Sequence, residues 1–262
     1  MFFKLGVQSF SFGWSRPKLK LLRFSSLQEL AKSLFTDNSN IEKATTNREI
    51  LREFFAVIKS SDAYLRFVFL TGVSKFSRVS IFSELNNLRD ITFSRQFGTL
   101  CGYTKKELES NFEDYLQNLG AVLEMKRTPL LAKIKSWYNG YSWNAKDKMY
   151  NPFSILNLLA EQQFDNYWFA TGTPTFLMKL IKKIELDTTT LENKKVSKII
   201  FDSYNLENLN VFALLFQTGY LTISSIVPKT RTIIYTLNYP NFEVKQAFMT
   251  FLVESFTENN LG

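Results

Sequence analysis

A short apolar run that leads into a polar turn and then a helical pattern is the feature that most limits the fold of this chain. The run is RFVFL at 66–70, the turn is TGVSKFSR at 71–78, and the helical pattern continues to residue 88. Such a run is typical of a strand that is buried on both faces in a parallel sheet. Strand, turn and helix in this order predict an α/β fold.

The polar turn is a candidate ligand site because it follows the carboxyl end of the predicted strand. Ligands of open α/β sheets bind at that end of the strands. Thr71, Lys75 and Arg78 supply a hydroxyl and two cations there. The alternative is that the hydroxyls of this turn cap the next helix and that its cations are solvated.

Composition removes several classes of chemistry. The 262 residues suffice for one large domain or two small ones, and they include no histidine, so Ser-His and Cys-His couples and histidine metal sites are excluded. Cys101 is the single cysteine, which predicts a reducing compartment, and we expect the cytoplasm. We interpret Cys101 as a small buried hydrophobic residue.

Positive charge is concentrated at the start of the chain. The formal net charge is +8, and residues 1–35 hold six cationic residues against one acidic residue. The net charge of the remaining residues is only +3. The positive charge of the whole chain is therefore weaker evidence for nucleic-acid binding than its total of +8 suggests. No apolar run approaches the roughly 20 residues that a membrane span needs.

Helical patterns fill the segment after residue 46 and the middle of the chain. Apolar residues recur at helical spacing in TNREILREFFAVIKSSDAYL at 46–65. Thr104 and Glu107 form a predicted capping box, Asn151 precedes Pro152, and the same cap and proline pattern follows at 173–174. The middle third is therefore predicted to be a helical lid or subdomain.

The last third reads as a helix, two strands and another helix. The helix lies in SYNLENLNVFALLFQ. The first strand follows Gly219, and the second lies in RTIIYTLNYP. The final helix, NFEVKQAFMTFLVESF, is amphipathic. A helix followed by a hairpin suggests a winged-helix module, whose cations Lys229 and Arg231 are candidates for nucleic-acid contact.

The sequence contains neither half of a phosphate-hydrolysing centre. A P-loop needs G-x-x-x-x-G-K-[ST], and no glycine of this chain is followed by lysine. An apolar strand that ends in paired acidic residues, the usual Mg²⁺ station, is also missing.

Two spacings imitate the Asp and E-x-K pattern of a metal-dependent nuclease. They are Asp114 with Glu124 and Lys126, and Asp187 with Glu192 and Lys194. Asp114 lies in a predicted helix and Glu192 in a polar loop, whereas such carboxylates need rigid strand placement. We interpret both sets as solvated surface charges.

The segment WYNGYSW at 137–143 has two interpretations. Its four aromatic residues beside Lys133, Lys135, Lys146 and Lys148 are consistent with bases stacking next to cations. The favoured alternative is a tight turn whose rings pack the helical subdomain.

Six ordered motifs carry a resemblance to a known family. They are RFVFLTGVSKFSRVSIFSELNNLRDIT, TLCGYTKKELE, WYNGYSW, YNPFSILNLL, YWFATGTPTFLMKLI and LLFQTGYLTI. With these motifs the chain, from about residue 40 to about residue 256, closely resembles bacterial AAA-ATPase-like proteins that carry a C-terminal PD-(D/E)XK nuclease domain.

The resemblance implies a P-loop NTPase core that uses ATP and Mg²⁺ in intact members, then a helical lid, a winged-helix segment and the nuclease. By position, Thr71 matches a residue that senses the γ-phosphate, and Lys75 and Arg78 match basic residues of the following turn. The phosphate loop, the acidic strand and the nuclease domain of the family are not found in this sequence.

The predicted fold class is α/β, with a partial AAA-like P-loop NTPase core, a helical lid and a winged-helix segment. The predicted boundaries are a basic arm at 1–40, the core at 41–102, the lid at 103–195, the winged helix at 196–240, and at 241–262 the start of a linker to a missing nuclease domain.

The predicted function is a truncated AAA-ATPase-like remnant without ATPase or nuclease activity of its own and without a bound cofactor. The alternatives are a nucleic-acid-binding or partner-interaction module that uses the winged helix, and a half that joins a complementary chain bearing the P-loop. No membrane association is expected.

Overall fold

The structure, a computed structural model, describes residues 53, 56–69, 89–168, 181, 184, 188–202, 210–230 and 232–257. These residues belong to two compact units, which are described separately: residues 53–69, and residues 89–257 with their gaps. In these ranges no helix combines the length and the apolar character that a membrane span requires.

The first unit contains helical residues but no strand among its described positions. Residues 53 and 56–60 are helical, in agreement with the predicted helix, and a 3-10 turn follows at Asp62–Tyr64. Residues 66–69 form no strand, and Phe67 and Phe69 are 69% and 50% exposed. The predicted strand buried on both faces is therefore wrong for these residues.

Among the described residues, this segment has no neighbouring strand. A buried strand needs hydrogen-bonding partners along its edges, and no described strand pairs with residues 66–69. The rings of Phe67 and Phe69 stack on each other instead, with centroids 6.3 Å apart.

The second unit begins with four helices, α1 (Lys105–Asn111), α2 (Glu113–Val122), α3 (Arg127–Tyr138) and α4 (Pro152–Glu161). The predicted capping box at the start of α1 is confirmed: Glu107 N–H donates to Thr104 Oγ1 at 3.1 Å, and Thr104 N–H donates to the Glu107 carboxylate at 2.8 Å. This pairing satisfies two backbone donors that a helix start leaves free.

One predicted helix is divided in two. The pattern from Thr104 onward reads as continuous, but Phe112 adopts φ −121° and ψ 23°, which ends α1 and begins α2. Its ring packs against Tyr103 at 5.2 Å between centroids, so the break serves the packing of an aromatic side chain.

The start of α4 follows the sequence prediction. The Asn151 side chain accepts a hydrogen bond from Phe153 N–H at 2.9 Å, and Pro152 occupies the first helical position. The four helices bury a common apolar cluster, whose fully enclosed members are Leu108, Leu116, Leu119, Leu130, Ile134, Tyr138, Ile155 and Leu158.

A two-stranded antiparallel ladder joins α3 to α4. It consists of β1 (Asn139–Tyr141) and β2 (Met149–Tyr150), with an irregularity between Asn139 and Tyr141. Tyr150 also exchanges backbone hydrogen bonds with Tyr103, at 2.8 and 3.2 Å, which ties the ladder to the segment before α1.

A three-stranded antiparallel sheet follows, built from β3 (Lys194–Ser197), β4 (Thr222–Pro228) and β5 (Ile233–Asn238). The strand order is β3-β5-β4, so β5 lies in the centre. The chain reaches β4 through α5 (Ile199–Asp202) and α6 (Val211–Gln217). The predicted helix, the strand after Gly219 and the second strand are confirmed.

The last helix, α7 (Phe242–Thr257), packs on this sheet and on α3. Val244, Ala247, Phe248 and Leu252 form its buried face, and Val244, Phe248 and Leu252 join an apolar cluster with the sheet and α6. The predicted amphipathic helix is confirmed. Helices and two small antiparallel sheets give the described chain a mixed α/β composition.

Candidate functional site

Most of the predicted site residues lie outside the described residues. These are Thr71, Lys75, Arg78 and Arg231. Lys229 is described and exposed, at the end of the β4–β5 hairpin. Its N–H donates to Thr232 O at 2.8 Å and its carbonyl accepts from Thr232 N–H at 3.3 Å, which closes the hairpin. Lys229 therefore lies at the hydrogen-bonded end of the hairpin.

The helix before this hairpin is apolar and enclosed. Five of the seven residues of α6 are buried, and Asn210 caps it by accepting hydrogen bonds from Phe212 N–H and Ala213 N–H at 3.0 and 3.2 Å. Lys194 Nζ covers the Phe212 ring at 4.6 Å from its centroid. A helix that is apolar on nearly all sides is a core element, so α6 has no polar face to offer a ligand.

The two nuclease-like spacings do not form a metal site in the described residues. Asp114, Glu124 and Lys126 are exposed, and Glu192 pairs with Lys245 at 2.6 Å. No group of three potential metal-ligating side chains occurs in the part of the chain that the structure describes. The surface-charge interpretation is confirmed for these residues, and Asp187 lies outside the described ranges.

The aromatic residues of WYNGYSW pack into the protein. Tyr138 and Tyr141 are buried, and the Trp137 ring contacts Phe242 of α7 with centroids 4.9 Å apart. The packing interpretation is confirmed, although the segment ends α3 and forms β1 instead of a tight turn. Buried rings cannot stack on bases, so base stacking on Tyr138 or Tyr141 is excluded.

Gly140 lies in the irregular part of β1, with φ +139°, where the chain approaches another segment closely. A Cβ atom at this position would lie 1.8 Å from the carbonyl oxygen of Pro240, which precedes α7. Only glycine combines this backbone conformation with such contact.

A second link joins β1 to β4. Thr222 Oγ1 accepts a hydrogen bond from Ser142 N–H at 2.7 Å and donates to Ser142 O at 3.0 Å. Ile223 N–H also donates to Ser142 O, at 3.3 Å. Because Ser142 and Thr222 are buried, these bonds satisfy backbone groups that water cannot reach.

The third link is a carboxylate at the beginning of α7. Ser154 of α4 donates its hydroxyl to both oxygens of Glu243, at 3.0 Å to Oε1 and 2.9 Å to Oε2. Trp168 N–H, beyond the end of α4, donates to Oε1 at 2.8 Å. Glu243 has no exposed surface, so it connects three segments inside the protein.

Burial raises the pKa of the Glu243 carboxyl to about 7, because water no longer solvates its charge. The negative charge of Asp165 acts in the same direction, while the hydrogen bonds from Trp168, Ser154 and Tyr167 act in the opposite direction. A carboxyl group that titrates near neutrality can serve in acid-base chemistry. The Glu243 carboxyl is enclosed, so its position is suited to holding helices together.

The sequence prediction did not single out Glu243. The sequence pattern does contain a signal for this residue. Glu243 lies four positions before Ala247 and beside Val244, and this spacing places it on the buried face of an amphipathic helix. An acidic residue on such a face indicates a buried hydrogen-bonded carboxylate.

A groove of about 360 Å³ opens beside Gly140. Its walls come from the last turns of α3, from β1, from the residue before β2 and from Pro240; the lining residues are Ala132, Lys135, Ser136, Asn139, Gly140, Lys148 and Pro240. Lys135 and Lys148 are exposed, and Asn139 Nδ2 donates to the Lys148 carbonyl at 3.4 Å. The groove therefore combines two cations with neutral polar groups.

Comparison with known proteins gives a family and one relative. Residues 29–82 match the AAA-ATPase-like family, which is described as a predicted AAA-ATPase. The chain is 39% identical over 219 residues to an "Uncharacterized protein in vnfD 5'region" of Azotobacter chroococcum mcd 1. The alignment covers 84% of this chain and 40% of the relative, so the chain spans about two fifths of that protein's length. No solved structure matches the chain.

Few of the residues that match the family are among those that the structure describes. Within residues 29–82 the structure describes 53 and 56–69, whereas the helices, the sheets and the groove lie at 89–257. Thr71, Lys75 and Arg78 lie within residues 29–82 but outside the described residues. The assignment of γ-phosphate sensing to Thr71 therefore stays a prediction.

Proposed function

We propose that this polypeptide is an AAA-ATPase-like protein that does not hydrolyse ATP or cleave nucleic acid by itself. The match of residues 29–82 to the AAA-ATPase-like family carries the proposal. In the sequence no glycine is followed by lysine, so it provides no P-loop to hold the phosphates. Without the amides and the lysine of a P-loop, the nucleotide phosphates lack charge-assisted hydrogen bonds that would each contribute about 1.5–3 kcal/mol to binding.

The proposal includes the architecture that the resemblance implies. Residues 41–102 are the later part of a P-loop NTPase core, 103–195 a helical lid, 196–240 a winged-helix segment and 241–262 the start of a linker toward a nuclease domain. Strand β3, two helices and then β4 and β5, in the sheet order β3-β5-β4, support the winged helix. Because α7 (Phe242–Thr257) is packed into the body, the proposed linker starts after this helix and not at residue 241. The single cysteine supports a place in the reducing cytoplasm.

Nucleotide binding by the purified chain tests this proposal. We expect no saturable Mg²⁺-dependent ATP binding below about 1 mM, a limit of roughly −4 kcal/mol in binding free energy, and no phosphate release. The matched pair is Thr71→Ala, at the predicted sensor, and Thr128→Ala, at an exposed threonine of α3. Tight binding or hydrolysis that Thr71→Ala abolishes and Thr128→Ala preserves would overturn the proposal.

A complementary chain that bears the P-loop is the partner that fits this proposal. Such a partner would supply the phosphate cradle, and Thr71, Lys75 and Arg78 would supply the sensing side. Co-purification with a protein encoded upstream is the expected result. A chain that stays monomeric and gains no ATP binding from that protein contradicts the partnership.

A second candidate function is nucleic-acid binding by the helix and hairpin module. The strand order β3-β5-β4 favours it. In modules of this kind the second helix reads the major groove, but α6 is buried here. Contact therefore falls to the hairpin end at Lys229 and to Arg231, which follows two positions later in the sequence and lies outside the described residues. The basic segment 1–35 adds positive charge.

This second candidate has its own test. Binding to a DNA duplex should weaken with salt, and replacing Lys229 and Arg231 by alanine should reduce the slope of log affinity against log salt by about 0.9 for each phosphate that these side chains neutralise. Removal of residues 1–35 should lower the slope further. An unchanged slope in both variants eliminates the hairpin tip and the basic segment as the interface.

A further inference from the structure

Positive charge is concentrated in one segment of the described body. Residues 126–148 contain six cationic residues and one acidic residue, a net charge of +5. The chain after residue 35 has a net charge of +3, so the other residues after position 35 sum to −2. A basic segment within an otherwise slightly acidic body indicates a surface for an anionic partner.

The fold brings this charge to one groove. α3 ends at Tyr138 and the chain returns through β1 and β2, so Lys135 and Lys148 both line the 360 Å³ groove. Ser136 and Asn139 also line it and add neutral hydrogen-bonding groups. Lys135 comes from α3, and Lys148 is the residue before β2, which pairs with β1.

The lysines of this segment, two of which line the groove, are not neutralised by neighbouring carboxylates. In the described ranges the ion pairs are Lys105–Glu109, Arg127–Glu113 and Lys245–Glu192, and none involves Lys133, Lys135, Lys146 or Lys148. All four of these lysines are exposed. The one acidic residue of the segment, Asp147, accepts a hydrogen bond from Asn144 Nδ2 at 2.8 Å and from no lysine.

We propose that this groove binds the sugar-phosphate backbone of nucleic acid without reading its sequence. Lysines are point charges that pair with phosphates, and release of counterions from the nucleic acid drives such binding. Tyr138 and Tyr141 are buried, so affinity comes from phosphate contacts and not from stacking on these rings. The inference goes beyond the proposed function and uses a different surface from the hairpin tip.

The test measures binding of the full chain to a labelled mixed-sequence oligonucleotide by fluorescence anisotropy, between about 50 and 200 mM salt. For the double variant Lys135→Ala with Lys148→Ala, we expect the salt slope to fall by about 1.4 to 1.8, which is roughly 0.7 to 0.9 for each lysine. The matched control is Lys105→Ala, which removes an exposed lysine of α1 that is paired with Glu109. This control should keep the wild-type slope.

Restoring the charge separates a phosphate site from a structural effect. Lys135→Arg with Lys148→Arg should retain the slope, and circular dichroism of every variant should match that of the parent chain. Parallel measurements with DNA, with RNA and with anionic vesicles of phosphatidylserine identify the anion that the groove prefers.

Several outcomes overturn the inference. One is an unchanged slope in the double alanine variant, and another is a slope that falls only when Lys229 and Arg231 are replaced, which assigns binding to the hairpin. Binding to the vesicles but not to DNA or RNA assigns the groove to a membrane surface and also contradicts it. The ATP measurements are independent, so failure of one proposal is distinguishable from failure of the other.

Discussion

Single residues determine how closely the segments of this protein approach one another. Gly140 has a positive φ and its α-carbon faces the Pro240 carbonyl at a distance that leaves no room for a side chain. Glu243 lies a few residues beyond Pro240 and accepts hydrogen bonds from α4 and from Trp168. Both residues hold the beginning of α7 against the helices.

Replacement of Gly140 by alanine should be strongly destabilising. The new Cβ would overlap the Pro240 carbonyl oxygen, and the positive φ adds strain, so we expect a loss of about 3 kcal/mol or more in the free energy of unfolding. Urea denaturation measures this loss. Gly120→Ala, within α2, is the control and should change stability by no more than about 1 kcal/mol. A Gly140→Ala variant as stable as the control contradicts the close approach.

Glu243→Gln should change how stability depends on pH. The carboxyl has a pKa of about 7 in the folded protein, above its value in the unfolded chain, so the folded state binds the extra proton. The resulting stabilisation is fully present below about pH 4.5 and is lost as pH rises through about 7. It amounts to no more than about 3 kcal/mol.

Urea denaturation at several pH values from 5 to 8 measures this effect. Glutamine keeps an acceptor for Trp168 N–H but does not titrate, so the variant should lack the decline in stability between pH 5 and 8. Glu113→Gln is the control because this carboxylate has a lowered pKa, owing to its hydrogen bonds with Gln117 and Arg127. A decline that persists in Glu243→Gln assigns the titration to another group.

At the scale of elements, the helices and the three-stranded sheet meet through β1 and α7. Ser142 joins β1 to β4, and α7 lies between the sheet and α3. The apolar face of α7 and the apolar body of α6 belong to one cluster with the sheet. α6, α7 and the sheet therefore share one core, which is distinct from the apolar cluster of α1 to α4.

Thr222→Val tests the link between β1 and β4. Valine has nearly the shape of threonine but cannot form hydrogen bonds, so Ser142 N–H is left without its acceptor inside the protein. We expect a loss of about 1–3 kcal/mol in the free energy of unfolding, the cost of a buried unpaired donor. Thr232→Val, at the exposed end of the hairpin, is the matched control. Equal stability of the two variants would show that water replaces the missing hydrogen bond.

Phe248→Ala tests whether α7 belongs to the folded body. Phe248 is fully buried and contacts Tyr220 and Tyr239, with ring centroids 4.9 and 6.2 Å away. Its truncation should cost about 3–5 kcal/mol, because apolar burial decreases and a cavity forms. Val253→Ala, at a position that is 63% exposed on the same helix, should cost less than about 0.5 kcal/mol. Similar melting temperatures of both variants contradict this assignment.

At the scale of the second unit, three links connect its helices and its sheet, and we expect these elements to unfold as one cooperative structure. Ser142 with Thr222, Gly140 with Pro240, and Glu243 with Ser154 connect residues that are far apart in sequence. Polar links that are buried and satisfied specify one arrangement of the elements around them.

Hydrogen exchange measures this cooperativity. The amides of Ile134 in α3 and Leu237 in β5 lie in different apolar clusters, and we expect both to exchange with the same free energy, that of global unfolding. Thr222→Val should lower both values equally. Exchange of Leu237 at a clearly lower free energy than Ile134 would instead divide this unit into two independent parts.

Local signals in the sequence predicted the elements of this unit well. The capping box at Thr104 and the cap at Asn151 depend on side chains within three residues of the helix start, so sequence order alone reveals them. In the first unit, the strand predicted at 66–70 is wrong for residues 66–69, because an apolar run becomes a strand only when another strand pairs with it, and no described strand does so here. The break at Phe112 was also missed, because it depends on where the ring finds Tyr103.

Residue order was enough to predict the helix starts and the hairpin, to exclude histidine chemistry and to reveal the similarity of residues 29–82 to AAA-ATPase-like proteins. All of these depend on residue types or on neighbours within a few positions. The tertiary structure alone decided the raised pKa of Glu243, the need for Gly140 and the placement of Lys135 and Lys148 around one groove. Burial and proximity arise between segments distant in sequence, and they exist only once the chain has folded.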